Sequence, residues 1–117
     1  MERRYRLRRN ADFQRVRREG KAWSHRLIVL VSLPNHLANN RYGFVVSKRL
    51  GKAVRRNLIK RRMREVVRLH QEEISQGWDL VFIARQPTSI SSFREIEQAI
   101  ENLLRRSGLL EVSVKQR

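Results

Sequence analysis

Between Lys48 and Arg68, ten of 21 residues are Lys or Arg and only Glu65 is acidic. The chemistry open to such a set is the capture of phosphate. Cations displace the counterions of a nucleic acid, and an arginine forks onto two phosphate oxygens at once. The spacing narrows the reading. At about 100° per residue, Ile59, Met63, Val66, Val67 and His70 fall on one side of a helix, and Ile74 extends the row. Lys60, Arg64, Asn57, Arg68 and Arg61 fill a contiguous arc of roughly 100° beside it. Such a helix docks on a core and holds a stripe of cations and one amide outward. Ordinary solvated faces mix signs, because like charges at i,i+4 are destabilising. This face calls for an anionic partner.

Catalysis by the chain's own side chains is not indicated. His25, His36 and His70 are scattered, and none has a partner at metal-ligand or triad spacing. His70, on the apolar side of the helix, reads as a packing residue. No paired-carboxylate motif for two-metal chemistry stands out. Gly51-Lys52 echoes the end of a phosphate-cradling loop, but the Ala53 that follows cannot ligate magnesium. The expectation is therefore no catalytic residue and no metal ligand. Phe13, Trp23, Tyr42 and Trp78 are the rings that can stack on bases, although core packing is the usual work of such rings. Phe13 and Tyr42 read as the more reachable pair.

A chain of 117 residues supports one core, so a single RNA-binding domain over 1–117 is expected, with 1–6 and 111–117 flexible. Hydrophobic residues make up 40% and the net charge is +16, which makes a polyanion the natural partner. The absence of cysteine excludes disulfides, Cys-ligated zinc and thiol catalysis. The longest apolar run, Leu27 to Val31, is too short to span a bilayer, and no apolar segment follows the N-terminal arginines as a signal peptide would require. A soluble cytoplasmic protein with no membrane partner is expected.

The positioning elements follow in order. Arg3, Arg4, Arg6, Arg8 and Arg9 form a basic lead-in. Asn10 reads as the cap of a short helix to about Glu19, with Gly20 in a left-handed position after it. Trp23 to Leu33 reads as one strand covered on both faces, and Arg41 to Ser47 as its antiparallel hairpin partner. The basic helix starts near Ala53, after a break at Gly51, and fades by about Ser75, with Gly77 as a stop signal. Trp78 to Ala84 is the next strand. It runs parallel to the one before the helix if the two are adjacent, and a right-handed crossover is the general default. Ser92 and Glu95 have capping-box spacing ahead of a helix from about Phe93 to Arg106. Leu109, Leu110, Val112 and Val114 offer an extra short strand. The fold class is α+β: a small mixed sheet covered by helices, in the order α-β-β-α-β-α. Major-groove readers place a recognition helix after a tight helical turn, whereas a sheet flanked by basic helices suits RNA, so RNA is favoured over DNA.

The spaced set Lys48-x-x-Gly51-x-Ala53-Val54-x-Arg56-Asn57-x-x-Lys60-Arg61-x-x-Arg64-Glu65 resembles the bacterial ribonuclease P protein family, whose basic helix opens on an Arg-Asn-Arg motif. Arg8-Arg9-Asn10-Ala11-Asp12-Phe13, Tyr42-Gly43-Phe44-Val45-Val46-Ser47-Lys48 and Ile83-Ala84-Arg85 carry the resemblance across nearly the whole chain. It implies a ribosomal-protein-like sandwich with a left-handed β-α-β crossover. It also implies a protein that assists a catalytic RNA in removing the 5′ leader of precursor tRNA, with magnesium held mainly by the RNA. By similarity, Lys48, Lys52, Arg55, Arg56, Asn57, Lys60, Arg61, Arg64 and Arg68 face the catalytic RNA. Phe13, Arg9, Arg17, Arg26 and Tyr42 line a groove for the leader, between the first helix and the sheet. Two departures stand out. The third motif letter is Leu58, so that arginine's contact is either missing or supplied by Arg55 or Arg62, and Arg17 and Val31 stand where relatives often carry groove aromatics. The competing readings are a ribosomal or RNA-chaperone protein, a metal-dependent nuclease acting alone, and a DNA-binding regulator.

Overall fold

A computed structural model describes residues 2–111. Four strands form one sheet in the order β1-β2-β4-β3: β1 Lys21–Ser24, β2 Ile28–Pro34, β3 Arg41–Val45 and β4 Trp78–Ala84. Helix α1, Asn10–Glu19, crosses β2 and β4 on one face. Helices α2, Ala53–His70, and α3, Phe93–Arg106, cover the other.

Strand alternation builds both layers. Ile28 and Leu30 of β2, Tyr42 and Phe44 of β3, and Leu80, Phe82 and Ala84 of β4 point toward α2 and α3. There they meet Ile59, Met63, Val66 and Val67 of α2, the row that the helical period picked out, and Ile96, Ile100, Leu103 and Leu104 of α3. Val29, Val31 and Leu33 of β2, Val81 and Ile83 of β4 and Val45 of β3 point the other way, with Val16, Phe13 and Leu7. The α3 capping box forms as its spacing predicted: the Ser92 hydroxyl accepts from the Glu95 N–H, and the Glu95 carboxylate accepts from the Ser92 N–H.

Several expectations are corrected. The stretch Trp23 to Leu33 is two strands, not one. Its turn is closed by a side chain, since His25 Nδ1 accepts from the Leu27 N–H at 3.0 Å. Burial, followed by the nearby Arg26 and Arg106 charges, lowers the His25 pKa, which favours the neutral ring this bond needs. Strand β3 does not pair with β2 as a hairpin partner. It lies at the sheet edge, parallel to β4, which stands between them. Asn10 is the first helical residue rather than the cap; Arg9 takes that position, without a side-chain capping bond. Helix α2 ends at His70, and a 3-10 turn, Gln71–Glu73, continues the chain. Leu110 makes an antiparallel bridge with Ile74, whereas Val112 and Val114 lie outside the described residues.

The crossover through α2 is left-handed, and its hand can be worked out from single residues. The Tyr42 ring points toward α2, while its carbonyl accepts from the Leu7 N–H at 2.8 Å on the free edge of the sheet. For an L residue viewed from its side chain with the chain running upward, N–H and C=O point to the right. Strand β4 therefore lies to the left of β3 as seen from α2. The general right-handed default does not hold here.

Gly20 has φ −81° and ψ 171°, an extended conformation open to any residue, so it is not the left-handed terminus expected. Space is the reason for glycine. A Cβ there would stand 2.5 Å from the Val16 oxygen, 2.7 Å from the Ser32 oxygen and 2.8 Å from Val31 Cγ1. Gly20→Ala is expected to cost about 1–3 kcal/mol as α1 is levered off β2. A urea midpoint equal to that of the parent protein would refute this.

Candidate nucleic-acid interface

The stripe on α2 forms as a helix of 18 residues, with its apolar row buried and Asn57 exposed. Lys48 lies in a 3-10 turn, Lys48–Leu50, before Gly51, whose φ of 130° is a conformation that favours glycine. Lys52 occupies the N-cap position of α2 without a side-chain bond, and the first turn holds no acid. Cations crowded at the positive end of a helix dipole are unfavourable unless an anion joins them. Lys48, Lys52, Arg55 and Arg61 are exposed; Arg56, Lys60 and Arg64 are half-buried. Among the described residues none of these seven has a carboxylate within ion-pair distance. Arg68 does: it forks onto Glu65 at 3.0 and 2.6 Å, which raises its pKa and lowers that of Glu65. Arg68 is thus the least available of the nine.

Arg64 has the most constrained environment. Its guanidinium lies 5.7 Å from the centre of the Phe44 ring, and its Nε is buried without an acceptor. Partial burial, then the nearby Arg6 charge, lower its pKa. A donor in that state gains most from an incoming anion. Of the two arginines named as candidates for the contact of the third motif letter, Arg62 donates to the Ser91 carbonyl at 3.1 Å, while Arg55 is exposed.

On the opposite face of the sheet, α1 leaves one row half-covered. Val29, Ile83 and Val45 are register partners across β2, β4 and β3 and form an apolar strip. Arg9, Phe13 and Arg17, spaced by four, share a flank of α1. Arg26 is exposed in the β1–β2 turn, at the end of the sheet nearest that strip. Phe13 is half-buried and lies over Gly43, where a Cβ would come within 2.4 Å of its ring. Tyr42 is a correction: at 1% exposure it offers no face for stacking, and its hydroxyl accepts from Asn40 Nδ2 at 3.0 Å. Trp23 and Trp78 pack partly buried against the main core.

The two surfaces meet at the free edge of β3. A cavity of ≈ 240 Å³ there is lined by Arg6, Phe13, Gly43, Phe44, Lys60 and Arg64 among others, so the α1 groove continues into the α2 stripe. Arg6 bridges to Tyr42 in parallel and covers the strand edge. Beside it, Arg3, Arg4, Arg6, Arg8, Arg9 and Arg41 surround a second cavity of ≈ 530 Å³, with Asp12 the one acid in its wall. The lead-in arginines were legible as a charge run, but their convergence on Arg41 was not.

A family model described as Ribonuclease P matches residues 1–108. The chain belongs to the ribonuclease P protein family. The ribonuclease P protein component of Roseiflexus castenholzii is 44% identical over 117 residues, covering 99% of this chain and 96% of its own length. That of Clostridium botulinum (strain Loch Maree) is 43% identical over 104 residues, covering 88% and 94%. Among solved structures, the RNase P protein of Staphylococcus aureus superposes with a TM-score of 0.85 at 36% identity, covering 92% of this chain and 98% of that one. The protein from Thermotoga maritima gives 0.80 at 35%, covering 86% and 96%. The α+β sandwich inferred from the resemblance is therefore the RNase P protein fold. Among the described residues no helix is long and apolar enough to cross a membrane.

What residue spacing did not disclose is the brace beneath this interface. Asp79, fully buried in β4, accepts from Arg41 at 2.9 and 2.8 Å, from Arg15 of α1 at 3.2 Å and from Asn35 at 3.0 Å. The bond to Asp79 is the main cause of the raised Arg41 pKa. This cluster ties α1 to the sheet and so sets the groove. Its one sequence signal was an acid inside an otherwise apolar strand.

Proposed function

We propose that this chain is the protein subunit of ribonuclease P, a cytoplasmic, single RNA-binding domain that binds the catalytic RNA and the 5′ leader of precursor tRNA. It assists magnesium-dependent endonucleolytic removal of that leader, giving the mature 5′ end. The observation that carries the reading is the junction at the β3 edge. There a groove with an apolar floor and cationic walls, features that suit a single strand, runs into a helix-borne stripe suited to a folded RNA. One chain can thus hold substrate and ribozyme side by side, with fixed positive charge lowering the repulsion between them. The stripe offers ammonium, guanidinium and amide groups and no free carboxylate, a donor set that does not fit magnesium. In this reading the RNA holds the ion, and the protein's part is to order that RNA.

Reconstitution with the RNase P RNA tests the assignment. The chain is expected to tighten binding of leader-bearing precursor tRNA over leaderless tRNA and to lower the magnesium needed for cleavage. Equal binding of both substrates, with the magnesium requirement unchanged, would favour a ribosomal or RNA-chaperone protein instead.

A further inference from the structure

Cations outnumber acids 27 to 11 in this chain, yet three of the acids converge on one imidazole. His70, the last residue of α2, places Nδ1 3.1 Å from a Glu73 carboxylate oxygen. Its Nε2 lies 3.0 Å from Glu101 Oε2 and 3.6 Å from Glu97 Oε2. Glu97 and Glu101 stand four apart on α3, so both carboxylates leave the same helix face. The sequence reading made His70 a packing residue; two of its three carboxylate neighbours come from another helix.

The Nε2 atom is buried and makes no hydrogen bond. Glu73 can only accept, so in the neutral ring it favours the proton on Nδ1, the tautomer whose Nε2 lone pair faces the Glu97 and Glu101 carboxylates. In that tautomer three lone-pair donors converge on one point. A cation completes such a set. Two bonds of about 2.0–2.1 Å at the tetrahedral angle place their donor atoms roughly 3.3 Å apart. The two Nε2–carboxylate distances, 3.0 and 3.6 Å, bracket that spacing, and all three ligand atoms lie within 4.8 Å of one another. A carboxylate on the far nitrogen of a ligating histidine is the usual support of a metal site. The carbonyl end of α2, where His70 sits, also favours positive charge.

We propose that His70, Glu97 and Glu101 form a site for a divalent transition cation of the zinc class, with Glu73 orienting the imidazole. One nitrogen and two oxygens suit zinc's borderline softness, whereas magnesium requires six oxygens, several of them water. The ion clips the end of α2 to α3, away from the arginine-lined groove, and stiffens the helix that carries the RNA-facing stripe.

The test uses the full chain stripped with chelator, titrated calorimetrically with zinc chloride and, in parallel, with magnesium chloride. One equivalent of zinc is expected to bind and to raise the Tm by about 10 °C at 100-fold excess over Kd. Magnesium at the same concentration is expected to leave the Tm unchanged. Glu101→Gln and His70→Gln each weaken zinc binding by at least about 10-fold, and Glu73→Gln weakens it about 10-fold at unchanged stoichiometry. His25→Gln and His36→Gln change nothing. Cobalt(II) absorption in the visible range, lost in Glu101→Gln, reports the same ligands without relying on stability. No zinc-dependent shift, or a shift that survives Glu101→Gln and His70→Gln intact, overturns the site.

Discussion

Replacing Arg56, Lys60 and Arg64 together by alanine is expected to weaken binding to the RNase P RNA roughly 100-fold near 0.15 M salt. The log–log salt dependence should flatten by about 2–3 units. Each phosphate contact contributes roughly 0.7–0.9 to that slope, worth about five-fold in affinity at that salt, and three contacts multiply. None of the three has an acidic partner among the described residues, and two of them, Lys60 and Arg64, line the cavity at the β3 edge. Arg68→Ala makes an informative contrast. Its guanidinium already rests on Glu65, so its loss should cost little affinity. Filter binding or fluorescence anisotropy over a salt series, with circular dichroism to confirm folding, measures both. Unchanged affinity and slope in a folded triple variant would remove α2 from the interface.

The second large effect is on stability. Asp79→Ala is expected to destabilise the protein by about 3 kcal/mol and lower the Tm by roughly 10–15 °C. Removing one member of a buried ion cluster commonly costs 3–5 kcal/mol. The lower end applies because the orphaned Arg41 and Arg15 side chains, 25% and 37% exposed, can turn to water. The α1 contacts should loosen as well, so leader affinity falls further than the RNA affinity. Thermal and urea denaturation give the first quantity. A Tm within a few degrees of the parent would mean that the cluster is ornamental.

How much of this was visible beforehand depends on how local each signal is. The α2 stripe, its buried row and the α3 capping box rest on residues three or four apart, and all three appear where the spacing placed them. The β1–β2 turn was missed because it contains no Gly, Pro or Asn; a histidine ring closes it instead. The placement of β3 was missed because its neighbour, β4, lies beyond an 18-residue helix, and no pattern within a strand names its partner. Tyr42 looked reachable until Asn40, two residues earlier, proved to hold its hydroxyl inside. The His70 and Asp79 clusters draw on residues up to 64 apart in sequence, a distance at which spacing is silent.

The strand order has a consequence for biosynthesis. Strand β4, in the interior of the sheet, is the last of the four to be translated, so a nascent chain that has not reached Trp78 carries β2 and β3 with no neighbour between them. Both open edges must wait on the ribosome for the strand that separates them. Ten cations in the intervening segment keep such half-made chains apart by mutual repulsion, a safeguard against premature clumping.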